Sequence, residues 1–528
     1  MKSNFFKYIF ILFAVAIIIF SIYIIYIKKD DKTNNIKEDE IVETQQIKDI
    51  RFGISNFDTI NPLITNNKEV LNVDKLIFEP LMTLDENYKL NLCLASECSK
   101  TSSTSYVIKI DNNKKWQDGS SLVAKDIQFT IDRLKEGRSI YSYNVEKVIS
   151  VEVLDAETIK INLSEEVPFF EYQLTFPILS NNYYLGEDFY TCTKVPMGTG
   201  MFKISEIDSN TIKLVKNEKW WNSKNVNSKI EKIEIKIYSE IGELYNSFKL
   251  GNIDIFTTAN TNLEQYIGTI GYAKTEFKGR EFDYLAFNCE NSILKDKNVR
   301  KAISYAIDKT NIVYSIFNNQ KYIADFPLDY GNYLYKDEKN TLVYNQEQAK
   351  KILLEDGWEY KNNRWQKTED YTTKRLSFNI TVNSNNENRV SVAEKIKEQL
   401  EQIGIRVTIQ KVSENQYKNI LENKNYEMIL TGVYNSYTPD LNSFLGDNNL
   451  ENYNSEEMQT ILEEIKKIED KELLKEKYEK ILEIFMDERP FVGLYRDKIN
   501  IVKNQNLAGK ITGNNYFSYY YLENWYRI

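Results

Sequence analysis

Hydrophobic residues form one long run at the start of the chain, where residues 5–27 are apolar except for Lys7 and Ser21. A helix of about 20 apolar residues spans a bilayer. The run is longer than the apolar region of a secretory signal, and neither an A-x-A cleavage pattern nor a cysteine follows it. We therefore expect an uncleaved transmembrane helix over residues 1–29, with an orientation that the lysines on both sides leave open. Residues 30–48 are polar and charged without an apolar period, which predicts a tether.

After the tether, short segments alternate between strand-like and helix-like patterns. Residues 105–110, 148–154 and 158–163 alternate apolar and polar positions, which predicts strands. Residues 124–134 instead place their apolar side chains on one helical face. Further predicted elements are a strand at 229–238, helices at 298–309 and 346–356, and one long helix or two at 455–487.

A strand–helix–strand unit occupies the last third of the chain. Strands predicted at 375–382 and 405–412 flank a helix predicted at 390–403, the arrangement of an α/β fold with parallel strands. The apolar run at 428–435 is predicted as the next strand of that sheet, and it leads into a polar and aromatic segment. Ligands bind beside the carboxyl ends of strands in open α/β sheets, so this strand end is a candidate binding site. An ordinary strand followed by a surface turn is the alternative.

Composition excludes several classes of function. The chain has 528 residues, of which 42% are hydrophobic, enough for two or three domains. A formal net charge of -9 argues against nucleic-acid binding. The absence of histidine excludes histidine-dependent catalysis and imidazole-bound metal. The four cysteines are too few and too scattered for a disulfide framework, so we expect mostly free thiols. We also expect no cofactor.

A series of short motifs runs in order from residue 50 to the end. They are Asn61-Pro-Leu63, Phe78-Glu-Pro-Leu81, Lys115-Trp-Gln-Asp-Gly119, Ala124-Lys-Asp126, Gly198-Thr-Gly200, Asn217-Glu-Lys-Trp220-Trp221, Leu250-Gly-Asn-Ile-Asp254, Phe287-Asn288, Val299 to Asp308, Ala349 to Trp358, and Arg489-Pro490. Each motif is weak alone, but the ordered set resembles the extracytoplasmic solute-binding proteins of oligopeptide, dipeptide and nickel ABC importers, which are the family 5 solute-binding proteins of bacteria.

The resemblance implies an α/β fold of the periplasmic-binding-protein type, a two-lobed clamp with an extra subdomain in lobe I. It implies lobe I over residues 49–275, lobe II over 276–489 and a return to lobe I over 490–528, with crossings near 284–288 and 491–495. The implied partners are a peptide or small-molecule ligand and the permease subunits of an ABC transporter. The implied state is a monomer, held on the outer face of the bacterial membrane by its N-terminal helix.

The resemblance also implies a set of ligand-binding residues. In such proteins the strand equivalent to 431–433 hydrogen-bonds the backbone of a ligand peptide by β-augmentation. Two asparagines follow Asn61-Pro62 on the rim of lobe I, another lies on the lobe II side, and two tyrosines are candidates for stacking on the ligand. The full set is Asn66, Asn67, Tyr141, Tyr143, Asn383, Thr431, Gly432, Val433, Tyr434 and Asn435. The alternative for the asparagines at 66, 67 and 383 is that they are ordinary polar surface residues. The alternative for Tyr141 and Tyr143 is that they are aromatic residues packed in the protein.

One residue departs from the pattern of the peptide binders. Four residues before the motif proline they carry an aspartate that pairs with the peptide's α-amino group, whereas this chain has Asn435 four residues before Pro439. An amide accepts a hydrogen bond but supplies no charge against an ammonium group. The substrate is therefore expected to be a neutral or N-blocked peptide, a long peptide or another solute. Asp440 is a possible substitute for the missing charge.

Three functions compete at this stage. The leading interpretation is a non-enzymatic solute receptor that delivers its ligand to a membrane permease. A hydrolase would need a Ser–Lys pair or paired carboxylates, and no spacing in the chain assembles either. The runner-up is a membrane-anchored peptide sensor or chaperone that has the same clamp and no role in transport.

Overall fold

The computed structural model describes residues 49–111, 113–188, 191–226, 228–336 and 343–528. The predicted anchor at 1–29 and the predicted tether at 30–48 lie outside these residues. Among the helices of the described ranges, none is both long enough and apolar enough to cross a membrane.

The described chain contains both strands and helices along its whole length. The strands are β1 (Asp49–Ser55), β2 (Met82–Leu84), β3 (Leu90–Leu92), β4 (Ala95–Ser102), β5 (Ser105–Ile110), β6 (Val148–Val153), β7 (Thr158–Leu163), β8 (Phe202–Ile207), β9 (Thr211–Lys216), β10 (Lys232–Tyr238), β11 (Ile255–Thr258), β12 (Tyr272–Phe287), β13 (Lys321–Ile323), β14 (Glu359–Lys361), β15 (Arg364–Glu369), β16 (Thr372–Arg375), β17 (Ser377–Asn383), β18 (Arg406–Val412), β19 (Met428–Tyr434), β20 (Phe491–Asn504), β21 (Leu507–Ala508) and β22 (Tyr526–Arg527).

The α-helices are α1 (Lys68–Ile77), α2 (Ala124–Lys135), α3 (Asn181–Tyr184), α4 (Ile241–Lys249), α5 (Glu264–Ile267), α6 (Lys297–Ala306), α7 (Lys309–Phe317), α8 (Gln346–Glu355), α9 (Glu387–Gln402), α10 (Glu414–Asn423), α11 (Asn442–Leu445), α12 (Glu456–Ile465) and α13 (Lys471–Glu488). Single 3₁₀ turns lie at Ser142–Val145, Phe170–Leu174 and Leu522–Asn524.

A mixed sheet of eleven described strands forms the frame of the molecule. Its order is β18-β17-β19-β12-β20-β11-β1-β10-β9-β8, and β13 pairs with β20 off this path. The two longest strands, β12 and β20, run antiparallel at its centre and join the β19 side to the β11 side. A separate four-stranded sheet, β4-β5-β7-β6, lies within the predicted lobe I.

The pairing of β12 with β20 is interrupted near its middle. Lys278 pairs with Lys498, and the next paired residues are Phe282 and Arg496. Between these two pairs β12 therefore has more residues than β20. The additional residues of β12 form a bulge, and a bulge redirects the side chains of its strand. Arg280 lies in this bulge.

The predicted strand–helix–strand unit is confirmed. β17 and β18 are parallel with α9 between them in the chain, and β19 pairs parallel with β17. The apolar residues of β19 alternate between two cores, because Ile429 packs into one cluster while Met428 and Leu430 pack into another. A strand that is buried on both faces needs such a continuous apolar run.

The helix predicted at 298–309 is wrong at its C-terminal end. α6 ends at Ala306, and α7 begins at Lys309. The side chain of Asp308 accepts a hydrogen bond from the backbone of Asn311, so it is the N-cap of a new helix. The segment 455–487, for which one helix or two were predicted, forms two helices, α12 and α13.

Candidate functional site

A cavity of about 810 Å³ lies beside the bulge of β12 and the end of β19. Several parts of the chain contribute to its walls. Among them are α1, the segment 140–144, the bulge of β12, the segment 433–444 that begins in β19, and the segment 514–518 near the C-terminus. Residues 172–175, 257–259 and 327–328 also line it. The volume is in the range of small-molecule and cofactor sites, which is roughly 300–1,000 Å³.

Six of the ten predicted ligand-binding residues line this cavity, and all ten lie in the described chain. The six are Asn66, Tyr141, Tyr143, Val433, Tyr434 and Asn435. Asn66, Tyr143 and Tyr434 are exposed, whereas Asn435 is buried. The structure thus brings together Asn66, the two tyrosines and the end of β19, which lie far apart in the sequence.

The other four residues lie elsewhere. Asn67 is the N-cap of α1: its Oδ1 accepts from the backbone N–H of Glu69 at 2.8 Å, and its Nδ2 donates to the backbone carbonyl of Ser55 at 2.8 Å. Asn383 donates its amide to the Glu414 carboxylate at the end of β17. Their amide groups are therefore engaged in local structure.

Thr431 and Gly432 lie in β19 next to the cavity but do not line it. Thr431 is buried. A Cβ atom on Gly432 would lie 2.2 Å from Nη2 of Arg389 and 2.9 Å from Oδ1 of Asp283. Arg389 and Asp283 form an ion pair of 2.6 Å, so the glycine makes room for it against the strand.

One edge of β19 remains open beside the cavity. Its first edge pairs with β12 along the whole strand, from Met428 to Tyr434. Its second edge pairs with β17 only at Met428 and Ile429 within the described chain, and the carbonyl of Leu430 accepts the hydroxyl of Tyr417 at 2.9 Å. Over 431–434, no strand of the described chain pairs with this second edge, which is the kind of edge that β-augmentation uses.

Asn435 connects the end of β19 to the rest of the cavity wall. Its backbone N–H donates to the carbonyl of Arg280 at 3.0 Å, and Nη1 of Arg280 donates back to the carbonyl of Asn435 at 2.8 Å. Its side-chain Nδ2 donates to the carbonyl of Pro327 at 2.5 Å. The amide Oδ1 is buried and has no hydrogen-bond partner within the described chain, which leaves one acceptor for a ligand.

Arg280 is a residue of the cavity wall that the sequence interpretation missed. Its guanidinium carbon lies 3.7 Å from the ring centroid of Tyr437 and 4.4 Å from that of Tyr434. The sequence contains one signal for it, because a glycine inside a strand marks a bulge. That glycine is Gly279, where a Cβ atom would lie 2.5 Å from Cβ of Asp497.

The cavity wall also carries two lysines. The ammonium group of Lys75 lies 4.9 Å from the ring centroid of Tyr516 and donates to the carbonyl of Leu71 at 3.3 Å. Burial lowers the pKa of Lys75 to about 8, and the neighbouring charge of Arg280 acts in the same direction. Lys68 lies 5.0 Å from the ring centroid of Tyr434 at the mouth of the cavity.

Two acidic residues in the wall are engaged within the protein. Glu69 accepts the backbone N–H of Ser55 at 2.5 Å, and burial raises the pKa of Glu69 to about 7. Asp440 accepts the backbone N–H of Asn442 at 2.9 Å and its side-chain Nδ2 at 2.5 Å. Across the ranges that the structure covers, no group of three His, Cys, Asp or Glu side chains could hold a metal ion.

Comparison with known proteins identifies the family. A family model described as "Bacterial extracellular solute-binding proteins, family 5 Middle" matches residues 89–455. The chain belongs to family 5 of the bacterial extracellular solute-binding proteins. The family predicted from the ordered motifs is therefore confirmed, and as a family 5 protein the chain is the substrate-binding component of an ABC importer.

Individual relatives are distant in sequence and similar in length. The curated oligopeptide-binding protein AppA of Bacillus subtilis (strain 168) is 23% identical over 475 residues, which are 85% of this chain and 86% of AppA. The structure of AppA from Bacillus subtilis in complex with a nonapeptide has a TM-score of 0.56 at 22% identity, covering 91% of this chain and 99% of that one. The structure of a nickel ABC transporter from Bacillus halodurans has a TM-score of 0.75 at 21% identity, covering 89% and 98%. These structures confirm the α/β two-lobed clamp.

Proposed function

We propose that this family 5 protein captures a peptide or a related small solute in the cavity beside Arg280 and delivers it to a membrane permease. The observation that carries the proposal is the open edge of β19 at 431–434, which adjoins a cavity of about 810 Å³. An extended peptide adds to such an edge through its main chain, so many side chains are accepted.

The remaining predicted features complete this proposal. Residues 1–29 would anchor the protein at the outer face of the membrane, residues 30–48 would tether it, and the folded body would act as a monomer. The lobes would follow the predicted boundaries at residues 275 and 489. Within this assembly we propose binding without catalysis: the chain has no histidine, and the hydroxyl of Ser436 in the cavity wall pairs with that of Thr438 at 3.1 Å.

A second candidate is a membrane-anchored sensor or peptide chaperone with the same clamp. The observation that favours it is Asn435 in the cavity wall, where the peptide binders of the resemblance place an aspartate. Deleting the gene separates the two: loss of peptide uptake indicates an importer, whereas unchanged uptake with an altered cellular response indicates a sensor.

The ligand itself can be recovered from the protein. We expect the full chain, purified in mild detergent without added ligand and then denatured, to release a small solute that mass spectrometry identifies. Val433→Trp should fill part of the cavity and lose this solute. Val153→Trp, on an exposed strand outside the cavity, is the matched control and should retain it. Absence of any solute from both proteins, together with no binding of any peptide tested, would contradict the receptor function.

A further inference from the structure

The cavity has an imbalance of charge that the proposed function does not explain. Three cationic side chains line it, Lys68, Lys75 and Arg280, against two acidic ones, Glu69 and Asp440. None of the three cations forms an ion pair with a carboxylate in the described parts of the chain. Most charged side chains that are withdrawn from water have a partner, because an unpaired charge is costly to desolvate.

Arg280 is held in position from two sides. The rings of Tyr434 and Tyr437 flank its guanidinium group, and Nη1 is fixed on the carbonyl of Asn435. Its Nε has no hydrogen-bond partner within the described chain. A planar guanidinium group with a free N–H is suited to a carboxylate, which it binds through charge-assisted hydrogen bonds.

Lys75 contributes a second positive charge to the cavity wall. Its ammonium group lies over the ring of Tyr516, and the charge of Arg280 disfavours its protonated form, so the two cations repel each other. An ionised Asp74 would favour the protonated form of Lys75 more strongly than Arg280 disfavours it, but burial raises the pKa of Asp74 well above its ordinary range. An anion between the cations would relieve the repulsion of Lys75 and Arg280.

The acidic residues of the wall do not supply that anion. The Glu69 carboxylate accepts from Ser55, and that of Asp440 accepts twice from Asn442. The two carboxylates of the wall are therefore engaged within the protein, while the buried Oδ1 of Asn435 is a single neutral acceptor beside Arg280.

We propose that the natural ligand carries a carboxylate group, which Arg280 and Lys75 bind, and that Asn435 accepts an N–H or O–H from a neutral part of the same ligand. This inference rests on the proposed receptor function and names its substrate class: an acidic solute, either a peptide with a free carboxylate or a small organic acid.

Matched probes test the inference by calorimetric titration of the full chain in mild detergent. The probes are N-acetyl-trialanine with a free C-terminal carboxylate, the same peptide as a C-terminal carboxamide, and citrate as a non-peptide acid. We expect at least one acid to bind, and a binding peptide acid to bind about tenfold or more tighter than its amide. Binding of the peptide acid indicates a peptide ligand, whereas binding of citrate alone indicates an organic acid.

Arg280→Gln should abolish the binding preference for acids. Arg406→Gln is the matched control, because Arg406 is exposed on the edge strand β18 and does not line the cavity. The control should keep the full preference. Arg280→Lys retains the charge without the planar group, and we expect it to keep part of the preference.

Lys75→Met provides a second measurement in case Arg280→Gln does not fold, and it should weaken acid binding by about tenfold. Three outcomes would overturn the inference. The first is equal affinity for the acid and the amide, and the second is no binding of any of the three probes. The third is an unchanged acid preference in both Arg280→Gln and Lys75→Met. A neutral solute released from the purified protein would also overturn it, while leaving the receptor function in place.

Discussion

At the scale of single residues, Asn435 uses its backbone and its side chain for different neighbours. Its backbone pairs with Arg280, its Nδ2 donates to Pro327, and its Oδ1 is unpaired. The amide is suited to this position because one side-chain atom must donate to a carbonyl. A carboxylate could not do so in its ionised form.

Asn435→Asp should therefore weaken the binding of acidic ligands by about tenfold or more, because the new carboxylate competes with the ligand for Arg280. It should also lose the hydrogen bond to Pro327. Asn435→Ala is the control, since it removes the same amide without adding charge. Calorimetry with N-acetylated and free-amine peptides also tests whether an aspartate here tightens the binding of a free amino group. Tighter binding of acids by Asn435→Asp than by Asn435→Ala would contradict the predicted competition.

Glu451 is a second residue whose environment decides its chemistry. Its side chain is fully buried, and neither carboxyl oxygen has a hydrogen-bond partner within the described chain. Burial raises the pKa of Glu451 from its ordinary value of 4.5 to about 8. The folded protein thus keeps this carboxyl protonated at a pH where the unfolded chain releases the proton.

The sign of the pH effect follows from this raised pKa. The contribution of Glu451 to the free energy of unfolding is complete below pH 4.5 and declines as the pH rises toward about 8. Between about pH 5 and about pH 8 the wild type should lose at least about 1 kcal/mol through this group, since one pKa unit corresponds to about 1.4 kcal/mol.

Glu451→Gln should remove that loss, because a glutamine stays neutral. Its melting temperature should exceed that of the wild type near pH 8 and differ little near pH 5. Glu422→Gln, on an exposed face of α10, is the control and should follow the wild type. Parallel melting curves for all three proteins across this pH range would rule out the buried carboxyl as the source.

At the scale of elements, the glycine loop before β8 is fixed against the end of α1. The side chain of Gln117 donates to the carbonyls of Ile77 and Phe202 and accepts the N–H of Gly198. Gly200 donates its own N–H to the carbonyl of Ile77 at 2.8 Å. The loop therefore positions the C-terminal end of α1, which lines the cavity.

Gly198→Ala should destabilise the protein by about 1–3 kcal/mol, the range for forcing an additional carbon into a packed site. The new Cβ would lie 2.0 Å from the carbonyl oxygen of Ile77, so the loop must shift. Gly242→Ala is the matched control: it lies in α4, where nothing is within 4 Å of a Cβ atom. There alanine should stabilise the helix by up to about 1 kcal/mol. Urea unfolding of both variants measures the difference in their free energies of unfolding. Equal values would show that the loop accommodates the additional carbon without a loss of stability.

At the scale of the whole molecule, the cores of the described chain lie between residues 50 and 525. One large core surrounds Phe52 and Ile233, and two others pack on opposite faces of β19. The central strands β12 and β20 connect these cores through an interrupted antiparallel ladder.

Residues 49–528 should fold without the N-terminal segment, because β1 begins at Asp49 and residues 30–48 are polar and charged. We expect a monomer by light scattering, a native near-ultraviolet circular dichroism spectrum, and the same ligand affinity as the full chain. An insoluble product, or a spectrum without aromatic signals, would show that the first 48 residues are needed for folding.

The sequence by itself determined the elements that depend on local periodicity. The unit β17–α9–β18, the strand β19 and the position of Asn435 in the cavity wall follow from apolar spacing and from motifs that are close in the chain. The ordered motifs also determined the family. The helix predicted at 298–309 shows where local pattern fails. The spacing of apolar residues places Asp308 inside a helix, but in the structure its side chain accepts a hydrogen bond as the N-cap of the next helix.

Only the tertiary structure decided which side chains share the cavity. Arg280 meets Tyr434 and Tyr437 because β12 pairs with β19 and bulges against β20, and these contacts join residues more than 150 positions apart. Lys75 reaches the same cavity from α1. No local pattern encodes such a meeting, because strand pairing over long separations is set by the packing of the whole sheet and its cores.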